Sequence, residues 1–468
     1  MKDEILSLYS AHITEQKQKV LDIISVSGFD ALIIYSGTPL RYYADDQDAP
    51  FRAYPHFLHF APLNEPGNFL LIQKGTKPLL VRVKSDDYWH EQVSLGGSFD
   101  IAHGKPFWLS EFDIREVPNV DSAWQELLNE RPTRSNIQRI AYVGDNSEEP
   151  KKQGIEGDCI NPKELIARLD TERSHKTPYE IACIGEANRI ASAGHKSACQ
   201  AFLDGASELE IHQAYMKAVG GVEHELPYET IVALNEKGSI LHYQGKRGDL
   251  KNGLSTSFDD ARDTSLRVNK SLLLDAGARY LGYASDVTRT FVAPDADPLF
   301  VELLAGVEKI QQELCGLVKP ALSFADLQKE THLKIGDLLF SLGILKIDGK
   351  EAYELGLTKV FFPHGVGHML GLQVHDVGGV KRDPEHTPDT ENLRTKGVME
   401  VGQVFTIEPG VYFIEILLRP HRTGTTFSHF NWELIDRLAP YGGVRVEDDV
   451  LVTEDGIRNL TKEYFEWT

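Results

Sequence analysis

Apolar residues recur at helical spacing from residue 4 to 26, at Ile5, Leu6, Tyr9, Ile13, Val20, Ile23 and Ile24. The run Asp30-Ala-Leu-Ile-Ile-Tyr-Ser-Gly37 then reads as a buried strand ending at a glycine. Residues 68–72 and 77–83 read as two strands around a Gly75-Thr76 turn, and Arg139 to Asp145 as another. Helical patterns lie between them, so the first third predicts an α/β arrangement. Residues 147–162 are polar, carry Pro150, Gly154 and Gly157, and predict a loop near a domain edge. At Thr177-Pro-Tyr-Glu180 the chain signals a helix start: threonine caps, proline fits the first turn, and the glutamate reaches back. The boundary is therefore expected near residue 170. Beyond it, helices are predicted at about 178–204 and 207–220. Strands are predicted in Leu272–Ala278, Tyr283–Phe291, Val404–Phe413 and Gly443–Val452. No low-complexity tract or short-period repeat is seen.

Two of these strand patterns contain acids where apolar side chains are expected. A bare carboxylate in such a place costs several kcal/mol unless it is paired or metal-bound. Asp275 and Asp286 would fall opposite each other in a hairpin whose turn centres between Tyr280 and Leu281. Facing carboxylates repel, and a cation between them removes the repulsion. Two satisfied structural aspartates are the alternative. The run Phe361 to Asp376 holds His364, His368 and His375, and its Gly365, Gly367 and Gly371 argue against a regular metal-binding helix. A phosphate loop is excluded because no Gly-Lys-Ser/Thr follows. Glu408 and Glu447 each stand among apolar neighbours, as buried ligands or as salt-bridged acids. Together the four carboxylates balance two divalent cations, and oxygen donors with imidazole suit Mn²⁺, Co²⁺ or Zn²⁺.

Composition narrows the class. The 468 residues carry 49 basic and 70 acidic side chains, a net charge of −21. That field disfavours nucleic acid and anionic membranes as partners. Four cysteines without a C-x-x-C motif fit a reducing compartment. The first residues lack an apolar signal core, and no apolar run reaches the roughly 18 residues of a membrane span. A cytoplasmic protein is the expectation.

The ordered motifs Leu-Asp-Ala-Gly-Ala, Ala-Ser-Asp-Val-Thr-Arg-Thr, Pro-His-Gly-Val-Gly-His, Thr-Ile-Glu-Pro-Gly and Gly-Val-Arg-Val-Glu-Asp resemble those of the pita-bread metallopeptidases. With His-Asp-Val-Gly-Gly, Phe-Asn-Trp and Tyr-Gly-Gly-Val-Arg-Val-Glu-Asp, the chain looks like a bacterial prolidase, an Xaa-Pro dipeptidase. It is also similar to the organophosphorus acid anhydrolases, prolidases with a side activity on triesters. The resemblance covers nearly the whole chain. It implies an α/β N-terminal domain over 1–169 and an α+β C-terminal pita-bread domain, creatinase/aminopeptidase-like, over 170–468.

Carried onto this sequence, the resemblance implies two divalent metal ions, Mn²⁺ first, held by Asp275, Asp286, His368, Glu408 and Glu447. Asp286 and Glu447 would bridge them. His242 would lie beside the scissile carbonyl and His375 would contact substrate and the tetrahedral intermediate. His364 would support the site, Glu408 would shuttle a proton, and Arg445 would order the centre. Arg394 would hold the free carboxylate of an Xaa-Pro dipeptide; a surface ion pair is its alternative. Tyr228, Phe324 and Leu393 would line the pocket. A metal-bridging hydroxide would attack the Xaa-Pro bond. A homodimer is implied, with the acidic loop Asp45–Asp48 and Trp89 as candidate parts of the pocket wall. Against that resemblance the stretch from His242 to Asp275 reads as extended by a polar, turn-rich segment at 249–263, with a role at the pocket mouth or a solvated loop as readings. Rival functions are an aminopeptidase acting on longer X-Pro peptides and a metal-free peptide-binding module.

Overall fold

The structure is a computed structural model that describes residues 2–84, 107–129, 139–246, 248, 268–378 and 392–465. Trp89 and the segment 249–263 lie outside the described residues. Contacts divide the chain into two units, 1–173 with 177–182, and 174–176 with 183–468.

The first unit opens on α1 (Lys2–Val26), which buries Ile5, Tyr9, Ile13, Val20 and Ile24 at the predicted spacing. β1 (Ala31–Tyr35) is buried throughout. After the short α2 (Pro55–Leu58), β2 (Phe69–Gln73) and β3 (Leu79–Val83) form the predicted antiparallel hairpin. β4 (Asp113–Val117), α3 (Val120–Asn129) and β5 (Ile140–Val143) follow. The sheet order is β4-β3-β2-β1-β5. Its outer strands pair in parallel and its inner strands antiparallel.

The polar stretch 147–162 departs from the predicted loop. It forms α4 (Glu148–Lys152) and a single 3₁₀ turn at Gly157–Cys159. The Asn146 side chain accepts the amides of Glu148 and Glu149, and Lys151 and Lys152 pair back with the same two acids. Caps and i,i+3 charge pairs stabilise this turn without an apolar stripe. α5 (Lys163–Ser174) precedes α6 (Pro178–Leu203). At its start, the Glu180 carboxylate accepts the Thr177 amide at 2.9 Å and Thr177 Oγ1 accepts the Glu180 amide at 3.4 Å. Those reciprocal bonds are the predicted capping box.

In the second unit, α7 (Glu208–Val219) starts at a Ser207–Glu210 capping box and ends at Gly220 in the left-handed region. β6 (Ile231–Leu234), β7 (Ser271–Asp275) and β10 (Thr288–Val292) make an antiparallel sheet, and β8 (Arg279–Tyr280) and β9 (Tyr283–Ala284) close the β7–β10 hairpin. α8 (Pro298–Leu317) and α9 (Phe324–Ser341) bring Phe300, Val307, Leu327 and Ile335 to the main core. β11 (Val404–Ile407), β12 (Gly410–Tyr412), β13 (Gly443–Arg445), β14 (Asp448–Val452) and β15 (Ile457–Asn459) form two further small sheets. Three segments predicted as unbroken strands are each interrupted, one at Ser285-Asp286-Val287, one at Glu408-Pro409 and one at Val446-Glu447. Proline has no amide to give a ladder, so the second break falls at Pro409. The interruptions fall at the acids that the sequence marked.

Candidate metal centre

Asp275 ends β7, flanked by Ile231 of β6 and Thr288 of β10. The predicted register is off by one residue at the turn. Tyr280 pairs with Tyr283, so the turn residues are Leu281 (φ 49°) and Gly282 (φ 93°). Two positive φ values make the two-residue turn that matches strand twist, and glycine supplies one of them without strain. Asp275 therefore opposes Thr288, and Asp286 lies diagonally from it rather than directly across. Both acids keep the same side of the hairpin, because the offset is two residues.

The histidine run is irregular, as its glycines predict, and lies along β11. Val366 accepts the Glu408 amide, His368 accepts the Thr406 amide, and Leu370 donates to Val404. A Cβ on Gly367 would stand 1.9 Å from the Thr406 carbonyl oxygen, so only glycine permits this approach. The pairing aims His368 at the acids. Its Nδ1–H donates to the Met369 carbonyl at 3.1 Å, leaving Nε2 3.3 Å from Asp286 and 3.9 Å from Glu408. A backbone acceptor on one ring nitrogen fixes which nitrogen is offered to a ligand.

Ligand atoms of Asp286, His368 and Glu447 lie within 4.8 Å of one another, and all three residues are buried. Asp275 and Glu408 flank them. Arg445 ties the set together. Its guanidinium donates to Asp275 at 2.6 Å, to Thr288 Oγ1 at 3.0 Å and to the Tyr412 hydroxyl at 3.0 Å. The Thr288 hydroxyl donates a hydrogen bond to Glu447 at 2.6 Å. Tyr412 bonds His364 Nε2 at 2.9 Å, and His364 Nδ1 is 3.6 Å from Glu408.

Titration follows from crowding four acids around one arginine. Burial raises Glu447 well above the usual carboxylate range, with Asp286 and Glu408 adding to it. Burial raises Glu408 to about 7 against the pull of His368 and Arg445. Burial also raises Asp275, with Arg445 opposing. Burial acts to lower His368, but Asp286 and Glu408 outweigh it and lift the ring to about 9. Asp286 ends below its usual value because the His368 bond outweighs its burial.

These side chains fit divalent cations. Asp275 Oδ1 and the Tyr228 hydroxyl are buried without a hydrogen-bond partner, an arrangement that costs free energy unless something else binds there. A hard cation neutralises the surplus acid and takes the orphaned oxygen.

A family model described as Metallopeptidase family M24 matches residues 182–454, and one described as Xaa-Pro dipeptidase, N-terminal domain, matches 7–171. The chain belongs to metallopeptidase family M24. It is thus a bacterial-type hydrolase with an N-terminal domain before an M24 pita-bread domain. A Marinobacter nauticus protein named Xaa-Pro dipeptidase is 40% identical over 468 residues, covering 98% of this chain and 99% of the relative. One from Shewanella oneidensis is 38% identical, covering 98% and 99%. The fold is that of Escherichia coli aminopeptidase P in complex with substrate, with TM-score 0.69 at 22% identity over 97% of this chain and 95% of that one. A zinc-substituted product complex of the same protein matches with TM-score 0.66 at 22% identity, covering 97% and 95%.

Around this M24 centre the remaining sequence-marked residues divide. Tyr228 points its hydroxyl at Asp275 and Asp286, whose charges help burial raise it. His375 stacks edge-on against His368 with ring centroids 4.3 Å apart, and its own surface is open. Burial lowers it to about 4, followed by the charges of His368 and Arg394. Burial lowers His364 as well, with Arg445 next. His242 is exposed and neighbours both His364 and His375. Arg394 is exposed and makes no ion pair among the described residues. Phe324 is packed in the core against Phe405 at 4.9 Å, and Leu393 is buried beside Gly365.

Sequence reasoning missed Tyr412, Thr288 and Gln328. Gln328 of α9 accepts the Val366 amide at 2.7 Å and donates to the His364 carbonyl at 3.0 Å, fixing the backbone between two histidines. A buried glutamine in an apolar helix face is the signal that marks it.

Proposed function

We propose that this chain is an Xaa-Pro dipeptidase that uses two divalent ions, with Mn²⁺ first and Co²⁺ or Zn²⁺ as alternatives. The observation that carries the reading is the clustering of Asp286, His368 and Glu447, with Asp275 and Glu408 beside them, in a chain aligned end to end with relatives of that name. Residues 1–169 are the N-terminal domain and 170–468 the catalytic one. Asp275, Asp286, His368, Glu408 and Glu447 would hold the ions. Bound there, such ions would supply an activated water and a Lewis acid for the carbonyl.

The chain's own groups do the rest. Glu408, beside His368 in the cluster, would shuttle the proton given up by the activated water to the leaving prolyl nitrogen. Arg445 keeps Asp275 and, through Thr288, Glu447 in place. His375 and His242 supply donors for the carbonyl oxygen as charge develops. His364 orders this side through Tyr412. Arg394 is free among the described residues for the proline carboxylate, and its charge reaches His375, so it fits on the substrate side. Tyr228 and Leu393 would line the pocket, with Phe324 behind them in the core rather than on its wall. The same activated water would suit organophosphorus triesters as a promiscuous substrate class. A homodimer is part of the reading: the loop holding Asp45–Asp48 is exposed with Leu40, Tyr42 and Tyr43, a surface that a second copy would cover. The four cysteines are free, in keeping with a cytoplasmic location, and no helix among the described residues is long and apolar enough to cross a membrane.

The test is hydrolysis of Ala-Pro, Leu-Pro and Ala-Pro-Ala by Mn²⁺-loaded and chelated protein. Metal-dependent cleavage of the dipeptides alone is expected. Cleavage of the tripeptide moves the assignment to an aminopeptidase. Silence on all three reopens the metal-free binding module.

A further inference from the structure

The strands that carry the acids rest on a helix with three polar residues on one buried face. Asn188, Ser192 and His195 of α6 are spaced four and three apart and are at most 5% exposed. A buried polar group on a packed helix face costs stability unless it is bonded, so each needs a partner. Asn188 Nδ2 donates to Asp449 Oδ2 at 2.8 Å. The same oxygen accepts the backbone amide of Asp286 at 3.1 Å. Thr461 closes a ring: its hydroxyl donates to Asn188 Oδ1 at 2.7 Å and accepts the Asp449 amide at 2.9 Å. Ser192 donates to the Tyr464 carbonyl at 2.7 Å, and His195 donates to the carbonyl of Ala276, next to Asp275, at 2.9 Å.

One carboxylate oxygen thus fixes the backbone of Asp286, and a helix amide fixes that oxygen. Asp449 also follows Glu447 by two residues, so the same bond registers the strands of two candidate ligands. We propose that Asn188 and Asp449 are positioning residues for the metal centre, setting Asp286 against Glu447 and His368. This rests on the ligand assignment above and goes beyond it, since neither residue is one of the assigned ligands. Residues that orient a ligand typically change metal affinity by about 10- to 100-fold when lost.

The experiment is calorimetric titration of Mn²⁺ into stripped full-length protein, with near-UV circular dichroism and melting of each stripped variant. Asp449→Leu removes the acceptor. Asp449→Asn keeps one oxygen able to take both bonds and is the conservative rescue. Asn188→Ala removes the donor and is the milder change should Asp449→Leu not fold. Ser192→Ala, on the same face, is the control. The expected result is Kd for Mn²⁺ weakened about 10- to 100-fold in Asp449→Leu and about tenfold in Asn188→Ala. Asp449→Asn and Ser192→Ala should stay near wild type. Folded Asp449→Leu or Asn188→Ala with wild-type Kd overturns the inference. So does Ser192→Ala as weak as Asn188→Ala, which would mean general helix packing. Wild-type protein that binds Mn²⁺ but leaves Ala-Pro intact overturns the dipeptidase reading alone. Wild-type protein that binds no Mn²⁺ overturns both.

Discussion

Nε2 of His368 stands 3.3 Å from a carboxylate oxygen of Asp286, and the other ring nitrogen is committed to the Met369 carbonyl. Two segments distant in sequence are thereby set for one cation, with Glu447 as the third corner. Removing any corner should therefore remove the site. Asp286→Asn and Glu447→Gln keep the volume and lose the charge. Steady-state hydrolysis of Ala-Pro should fall by more than the roughly 100-fold that loss of an outer partner gives. Near-normal activity in either variant would mean that the ligands are misassigned.

Acidity gives a second expectation. A carboxyl lifted to about 7, as in Glu408, favours the folded state when protonated, and that stability is lost as pH rises from the ordinary carboxylate range through 7. Glu447 is raised by the same cause and acts in the same direction. His368, raised to about 9, contributes stability fully below its ordinary value and loses it only toward 9. Between pH 5 and 8 each of these three groups thus favours the stripped centre less as pH rises, opposite in sign to His364 and His375, while a cation replaces their protons. The gain in Tm on adding Mn²⁺ should grow across that window, and calorimetry in two buffers should show proton release on binding. A gain that shrinks with pH would contradict this.

Arg394 offers a charge without a partner among the described residues. A hydrogen bond to a charged group contributes about 1.5–3 kcal/mol. Arg394→Met should raise KM for Leu-Pro by about 10- to 100-fold with a smaller change in kcat. The same variant should treat the amide Leu-Pro-NH₂ as wild type does. Equal loss on both substrates would assign Arg394 to the fold.

Gly367 faces the Thr406 carbonyl at a distance that no Cβ tolerates. Gly367→Ala must push the histidine run off β11, at a cost of about 1–3 kcal/mol by the usual penalty for overpacking. Melting of the stripped protein should show that loss, and Mn²⁺ affinity should drop with it because His368 is on the displaced run. Unchanged melting would mean the run is not pinned there.

Much of this was legible in the sequence because local chemistry carried it. The Thr177–Glu180 box, the β2–β3 hairpin and the glycine-rich histidine run each express bonds between near neighbours. The hairpin around Leu281 and Gly282 was placed one residue away, because Leu281 takes a positive φ that its type does not advertise. The short helix at Glu148–Lys152 was hidden because charge pairs rather than an apolar stripe hold it. Asn188 and Asp449 meet across 261 residues, so no local pattern links them. Tyr412 and Thr288 gain their importance only from the arginine between them.

Hydrolysis should need both ions in this one cluster. The most direct test is to titrate Mn²⁺ into stripped protein while following proline release from Ala-Pro. Two equivalents should bind per chain, with activity rising as the second is filled. Full activity with one equivalent, or with none, would contradict this.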